Sequence, residues 1–275
     1  MTHPTLPDWR LALPWPAADA HKHARGRLGV VSGKATQTGA ARLAARAGLR
    51  IGAGVVRILC PPDAASVIAP AIEAIMLTPF GSDEALAEAA ANLDAVVIGP
   101  AAGITDDTQT NVRALAGTGA ALVVDADALT VFEAWPADLF EILDRDDVLT
   151  PHEGEFRRLF PDVLEHGREA AAAEAASRAG AVVVLKGPAT VIAAPDGRIS
   201  VNDNGTPWLA TAGSGDVLAG MIGGLIAQRM DSFDAARAAV WMHAEAARGF
   251  GPGLIADDLP DRLPAVLAAL YTQAD

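Results

Sequence analysis

The segment from Thr211 to Asp216 is the part of the chain best suited to bind an anion and move a proton. Its sequence, TAGSGD, leads into an apolar run of helical period over residues 217–228 and predicts the glycine-lined N-terminus of a buried helix. Free backbone amides and the positive end of the helix dipole favour phosphate at such a terminus. Asp216, ionised in the first turn, could take a proton from a hydroxyl beside that phosphate. From these residues alone, a helix start capped by Ser214 or Asp216 without any ligand is an equal alternative.

Two more polar side chains follow buried strands. Lys186 comes directly after the apolar run 181–185, where a cation could meet nucleotide phosphates, although a surface lysine at a turn is the alternative. His152 follows Val148-Leu149 and could hold a ligand, whereas a solvated loop histidine is the plainer interpretation. No second histidine stands four residues beyond His152, so the spacing is not that of a zinc motif.

Asp125 and Asp127 end another predicted strand, and their role stays open. Side chains two residues apart on a strand share a face, so a pair that caps the next helix competes with a phosphate or Mg²⁺ role. The glycine-containing segment 29–35 is one residue short of a P-loop, and no Gly-x-Gly-x-x-Gly follows the first strand. Neither a P-loop NTPase nor a dinucleotide-binding Rossmann enzyme is therefore indicated.

Short β-branched runs alternate with Ala-rich stretches of helical period, and this alternation predicts an α/β fold. Most of these runs look like strands buried on both faces, as expected in a parallel sheet covered by helices. Near residue 196 the rhythm changes to a hairpin around Pro195-Asp196-Gly197, which predicts a C-terminal antiparallel edge. The predicted strands are 28–31, 55–59, 95–98, 121–124, 148–149, 181–185, 190–193 and 198–201, and the predicted helices cover 39–50, 83–92, 107–117 and 168–178 and begin near Ser214, Asp234 and Leu259.

Composition narrows the class of protein. The 275 residues carry a formal net charge of −13, which argues against a protein that coats nucleic acid. Every strongly apolar run is too short to span a membrane, and the N-terminus lacks a signal-peptide pattern. The single thiol, Cys60, excludes a disulfide framework and points to a reducing, cytoplasmic location. We expect one domain over residues 21–275, preceded by a proline-containing N-terminal arm over residues 1–20.

Six motifs that occur in order make the chain resemble the ADP-dependent NAD(P)H-hydrate dehydratases. The run 205–220, GTPWLATAGSGDVLAG, is similar to the signature of that family, and the resemblance extends from about His21 to Leu270. The other five motifs are residues 38–44 with 52–56, Ile98-Gly99-Pro100, 125–129, 149–155 and Leu185-Lys186-Gly187.

The resemblance implies a ribokinase-like fold and a cofactor-repair activity. Members of the family dehydrate the 6S epimer of NADHX or NADPHX back to NADH or NADPH at the expense of ADP, or of ATP in eukaryotic relatives. The terminal phosphate of the nucleotide activates the hydroxyl for elimination. By resemblance we expect Mg²⁺, a homotetramer, and these sites: Asp216 as catalytic base; Ala40, Gly103, His152 and Asp216 for substrate; Lys186, Gly187, Pro188, Ala189, Thr190 and Gly215 for nucleotide; and Gly213, Ser214 and Gly215 as anion hole.

The sequence departs from the family pattern at three places. Glu153 replaces the usual proline, Ser214 replaces the commoner threonine, and the segment 99–103 reads Gly-Pro-Ala-Ala-Gly instead of Gly-Pro-Gly-Leu-Gly. Two other functions stay open: a ribokinase-like kinase of a small molecule such as a vitamin precursor, and a nucleotide-sensing module that has lost the reaction. The motifs at 38–56 and 150–155 favour the dehydratase over the kinase, and retention of Asp216 argues against the sensing module.

Overall fold

The sheet that dominates the fold is described here from a computed structural model, which covers residues 7–272. Within those residues the chain forms one sheet of nine strands, and seven of them run parallel. The strands are β1 Arg27–Val31, β2 Val55–Cys60, β3 Met76–Pro79, β4 Ala95–Ile98, β5 Ala121–Val124, β6 Val148–Leu149, β7 Val182–Leu185, β8 Thr190–Ala193 and β9 Ile199–Asn202.

The order of the strands locates the crevice of the sheet. The sequence across the sheet is β3-β2-β1-β4-β5-β6-β7-β8-β9, so the chain moves outward in opposite directions from the β1–β4 pair. In open α/β sheets, ligands bind beyond the carboxyl ends of the strands at such a switch point. β8 pairs antiparallel with β7, and β9 pairs antiparallel with β8. The predicted antiparallel edge is thereby confirmed.

Helices cover both faces of the sheet and give two separate apolar cores, because successive strand residues point to opposite faces. Val30 packs into one core and its neighbour Val31 into the other. The helices within the described part of the chain are α1 Gly39–Arg50, α2 Pro62–Ile68, α3 Asp83–Ala90, α4 Asp106–Ala116, α5 Asp127–Thr130, α6 Pro136–Phe140, α7 Glu153–Leu159, α8 Arg168–Ala179, α9 Ser214–Ala227, α10 Ser232–Phe250 and α11 Leu259–Tyr271.

The pair α1 and α9 sets the position of the glycine-rich segment. α9 lies on the first core face against β1, β4 and β5, and α1 packs beside it. Small residues bring the two backbones together: a Cβ atom at Gly220 would lie 2.0 Å from the carbonyl oxygen of Ala44. Both helices begin at the carboxyl edge of the sheet, so their N-termini lie side by side next to the switch point.

Several elements were not predicted. The strand β3 has only one fully apolar pair, Met76-Leu77, before Thr78 and Pro79, and it lies at the edge of the sheet with little burial. The short helices α2, α5, α6 and α7 have four to seven residues each, too few for a helical period to emerge. Every predicted strand and helix exists, with end points shifted by at most two residues.

The N-terminal segment contributes to the first core. Residues 1–6 of the predicted arm lie outside the described residues. Within the rest, Trp9 is buried and its ring meets that of Trp241 edge-on, with centroids 5.6 Å apart. The boundary between the arm and the domain stays a prediction. Across residues 7–272, none of the helices combines the length and apolar character needed to cross a membrane.

Candidate active site at the start of α9

The N-terminus of α9 is the place where the sequence predicts an anion hole, and of the three predicted residues Ser214 has its amide engaged within the chain. Gly213, just before the helix, has a φ of 87°, and a Cβ atom there would lie 2.7 Å from Cδ1 of Leu43, so only glycine fits this entry. The amide of Ser214 donates a 3.3 Å hydrogen bond to the carbonyl of Thr211. The first hydrogen bond of the helix is the one that Val217 donates to Gly213, so the amides of Gly215 and Asp216 are available for an anion.

Lys186 reaches this helix start from the end of β7. Its Nζ donates a 2.8 Å hydrogen bond to Oδ1 of Asp125, which is 2 % exposed. Burial is the largest single effect and opposes the charged ammonium, but Asp125, Glu155 and Asp216 together outweigh it, so the pKa of Lys186 is raised. A Cβ atom placed on Gly215 would lie 3.6 Å from Nζ, which brings the cation next to the free amides of α9.

Asp216 faces this charged pair without a hydrogen bond of its own. Burial, followed by the negative charge of Asp125, raises the pKa of Asp216 to about 6 against the attraction of Lys186. No donor among residues 7–272 contributes a hydrogen bond that would stabilise its carboxylate. At neutral pH the Asp216 carboxyl group is ionised in most molecules and is still basic enough to accept a proton, as a general base requires.

Asp127 has a different task from its neighbour Asp125. Its Oδ2 accepts a 2.8 Å hydrogen bond from the amide of Gly103, in the segment after β4. Between the two aspartates, Ala126 has φ 50° and ψ −119°, a conformation that costs a non-glycine residue about 1–3 kcal/mol. This backbone turn directs Asp125 to Lys186 and Asp127 to Gly103. The two aspartates, whose role the sequence left open, thus both accept hydrogen bonds from other parts of the chain.

The side chains near Asp216 that could bind a metal ion do not form a metal site among residues 7–272. Across residues 7–272, no three His, Cys, Asp or Glu side chains lie close enough together to hold a metal ion. The carboxylates nearest to Asp216 are already engaged, Asp125 with Lys186 and Asp127 with Gly103. The residues present therefore do not provide a dedicated Mg²⁺ cage.

His152 caps the short helix α7. Its Nδ1 accepts the amides of Gly154 and Glu155 at 2.9 and 3.2 Å, and the Glu155 carboxylate accepts the amide of His152 at 2.8 Å. Because Nδ1 is an acceptor, the proton of the neutral ring is assigned to Nε2, which lies 3.3 Å from Glu155 Oε1. Half of the side chain is exposed, so the ring is oriented by the cap and still available to a ligand.

A cavity of about 830 Å³ lies between β7–β9 and α10, with the start of α9 and His152 at one side. Four of the five consecutive predicted nucleotide residues line it, together with Ser214 and Gly215, whereas Ala189 does not. Ala40 and Gly103 lie elsewhere at the carboxyl edge, and the neighbours of Gly103, Ala102 and Thr105, line a second cavity of about 310 Å³. The lining residues predicted from the sequence are His152, Lys186, Gly187, Pro188, Thr190, Ser214 and Gly215.

His243, on α10, was missed by the sequence analysis. It is buried, lines the large cavity, and has its Nε2 3.3 Å from Oγ of Ser214. Burial lowers the pKa of His243 to about 4, so the ring is neutral at physiological pH. A histidine within the apolar period of a long helix resembles a core residue in sequence, and only its packing against Ser214 reveals a place in the site.

Comparisons with known proteins point to one enzyme family. The family model described as NAD(P)H-hydrate dehydratase matches residues 28–263. An ADP-dependent (S)-NAD(P)H-hydrate dehydratase of Xanthomonas campestris is 35 % identical, with 94 % of each chain covered. A bifunctional NAD(P)H-hydrate repair enzyme of Salinibacter ruber is 39 % identical over 94 % of this chain. The chain spans about half the length of such bifunctional relatives.

Solved structures give the same architecture. An ADP/ATP-dependent NAD(P)H-hydrate dehydratase from Bacillus subtilis, co-crystallised with ATP and Mg²⁺, is 29 % identical with a TM-score of 0.81, and the match covers 95 % of this chain and 96 % of that one. A ribokinase-like protein from Enterococcus faecalis has a TM-score of 0.87 at 23 % identity, covers 96 % and 95 % of the two chains, and supports the fold alone. The predicted ribokinase-like fold is confirmed.

Proposed function

This chain belongs to the NAD(P)H-hydrate dehydratase family, and from that premise we propose that it restores hydrated NADH or NADPH by a dehydration that consumes ADP. The observation that carries the proposal is the grouping of three features: the amides at the start of α9 and the ammonium of Lys186, which border the large cavity, and the carboxylate of Asp216 beside them. Anion binding, charge neutralisation and proton removal are the requirements of phosphoryl transfer to a hydroxyl.

In the proposed reaction, ADP occupies the large cavity with its terminal phosphate at the amides of Gly215 and Asp216. The hydroxyl oxygen of the hydrated nicotinamide attacks the terminal phosphorus, its proton passes to Asp216, and AMP leaves as the bridging P–O bond breaks. The new phosphate then leaves with the ring's C–O bond electrons, and loss of a ring proton restores the double bond. Lys186, held by Asp125, balances the charge that accumulates on the transferring oxygens.

The substrate would lie on the other side of Asp216 from the nucleotide. Gly103, fixed by Asp127, and Ala40, at the start of α1, border the carboxyl edge next to the β1–β4 switch point. His152, oriented by its cap, lines the large cavity on the side of α9, so it would contact the substrate where the two ligands meet. These placements support the predicted substrate residues, whose role remains part of the proposal.

The magnesium ion, the oligomeric state and the cellular location are also proposals. Since Asp125 and Asp127 are engaged and no three potential metal ligands cluster among residues 7–272, we propose that Mg²⁺ enters with the nucleotide phosphates rather than on a cluster of protein ligands. A homotetramer and a cytoplasmic location remain predictions from the family resemblance and the single thiol. Size-exclusion chromatography with light scattering tests whether the protein is a homotetramer.

The proposal is tested by incubating the protein with the 6S epimer of NADPHX, Mg²⁺ and either ADP or ATP, and by following the absorbance of the reduced cofactor. We expect recovery only with nucleotide, with one AMP and one phosphate formed per reduced cofactor when ADP is used. Nucleotide consumption that leaves a stable phosphorylated product and restores no cofactor would replace the dehydratase by a kinase. Binding of nucleotide without any turnover would leave a sensing module.

A further inference from the structure

A chain of polar side chains behind the large cavity ends on the cavity wall. Asn202, the last residue of β9, donates from Nδ2 to Oδ1 of Asn204 at 2.5 Å. Nδ2 of Asn204 in turn donates to the carbonyl oxygen of Trp241 at 3.2 Å and to Oε1 of Glu245 at 2.9 Å, both on α10. Asn202 is one of the few polar residues that line this part of the cavity.

The direction of every hydrogen bond in the chain follows from its far end. A carbonyl oxygen and a carboxylate accept hydrogen bonds and do not donate them, so Asn204 must present its Nδ2 to Trp241 and Glu245. Its Oδ1 therefore faces Asn202, and Asn202 must present Nδ2 to it. The amide of Asn202 cannot turn round without placing two acceptors or two donors against each other, and its Oδ1 has no donor among residues 7–272.

Asn202 lies at the end of the cavity that suits the nucleobase of a bound nucleotide. It is paired with Thr190 on β8, two strands away from Lys186, and neighbouring strands are about 4.8 Å apart, so roughly 10 Å separates it from the phosphate-binding end. That distance leaves room for a ribose. The cavity residues at this end are otherwise mostly apolar and fit the faces of a purine: Pro207, Leu209, Val240 and Ala244.

We propose that Oδ1 of Asn202 reads the base of the bound nucleotide by accepting a hydrogen bond from an exocyclic amino group at position 6 of a purine. Adenine has an amino group at that position, whereas guanine and hypoxanthine have a carbonyl oxygen that would face another acceptor. Asn204 and Glu245 act as positioning residues because they fix the amide of Asn202. The inference rests on the proposed function, since it requires a nucleotide in this cavity.

The test measures the dissociation constants of ADP, of inosine diphosphate and of purine riboside diphosphate by calorimetry. Inosine diphosphate replaces the amino group by a carbonyl, and the purine riboside lacks both. We expect the wild type to bind ADP about tenfold tighter than inosine diphosphate, as one hydrogen bond lost with an acceptor left unpaired implies. Purine riboside diphosphate should lie between the two.

The wild type and three variants separate recognition of the nucleobase from effects on folding. Asn202→Leu removes the acceptor while keeping the branched outline of the side chain, and should bring the ratio of the ADP and inosine diphosphate constants close to one. Glu245→Leu removes one of the two groups that fix Asn204 and should lower the ratio partly. Glu245→Gln keeps an acceptor for Asn204 and should keep the wild-type ratio. Thermal unfolding of each variant verifies folding, and the ratio itself is insensitive to a uniform loss of affinity.

Equal affinity of the wild type for ADP and inosine diphosphate would overturn the inference and leave the proposed dehydratase intact. An unchanged ratio in Asn202→Leu would overturn it as well. If the wild type bound none of the three nucleotides, the proposed function would fall and this inference with it, so the two failures are distinguishable.

Discussion

Two carboxyl groups, the partly buried Asp216 and the buried Asp147, lie at opposite edges of the same sheet and share one electrostatic property. Burial is the largest cause of a raised pKa in both, to about 6 for Asp216 and to about 7 for Asp147. Asp216 lies at the carboxyl edge, where the loops after the strands carry Lys186 and Asp125. Asp147 lies at the amino edge, directly before β6, and is 5 % exposed.

The hydrogen bonds of the two groups differ completely. Both oxygens of Asp147 accept backbone amides, that of Leu122 at 2.6 Å and that of Asp144 at 2.8 Å, so the carboxyl joins β5 to the turn before β6. Asp216 receives no hydrogen bond from the described residues and lies near the ammonium of Lys186 instead. A raised pKa therefore does not identify a base by itself; the proposed role of Asp216 is supported in addition by its unused acceptor capacity.

The largest effect is expected from Asp216→Asn. The amide keeps the shape of the side chain but cannot take the proton, so we expect kcat to fall by about 10²–10⁴. ADP binding, measured by calorimetry, should persist, and thermal stability should be unchanged or higher because a buried charge is removed. Activity within tenfold of the wild type would show that another group is the base.

The matching change at the other edge, Asp147→Asn, should affect stability instead of catalysis. The new amide places an NH₂ group against a backbone N–H and leaves it unsatisfied, which costs about 1–3 kcal/mol. Urea unfolding monitored by circular dichroism gives this loss, while kcat of the folded protein should stay at the wild-type value. Asp146→Asn, an exposed neighbour, is the control and should change neither quantity. A selective loss of kcat in Asp147→Asn would contradict a purely structural role for Asp147.

The smallest effect concerns the pH profile. Because Asp216 must be ionised to act, kcat/KM of the wild type should decline below about pH 6, tenfold per pH unit. The negative charge of Asp127 contributes to raising the pKa of Asp216, so Asp127→Asn should move this acid limb to lower pH. The asparagine Oδ1 can still accept the amide of Gly103, which keeps the loop in place.

The control for this shift is Asp162→Asn, which removes a carboxylate from an exposed ion pair with Arg178. Its profile should coincide with that of the wild type. An acid limb that moves equally in both variants, or not at all in Asp127→Asn, would mean that the limb does not report Asp216.

Local pattern was enough to predict most of the fold. The helix that begins at Ser214 and the strand Val182–Leu185 are set by apolar period and β-branched runs, which act over a few residues. The edge strand β3 escaped because an exposed edge needs little apolar content, and α7 escaped because seven residues are too few for a period to be visible. The hairpin at Asp196 was predictable because its turn residues have a strong local preference.

The candidate site was predictable in its members more than in its contacts. Glycine at 213 and aspartate at 216 announce a helix start with an acid beside it, and Lys186 was assigned by its place after a strand. The engagement of Asp125 with Lys186 spans 61 residues of sequence, and that of Ser214 with His243 spans 29, so no local pattern encodes either. The strained Ala126 likewise has no sequence signature.

By itself the sequence determined the identity of the elements, the family, and a glycine-rich helix start that carries an acid. These depend on backbone conformation and apolar period, which neighbouring residues specify. Only the tertiary structure decided which of the two acids, Asp147 or Asp216, has its oxygens satisfied by hydrogen bonds, and which way the amide of Asn202 points. Hydrogen-bond partners and desolvation depend on groups that the fold brings together from distant strands and helices.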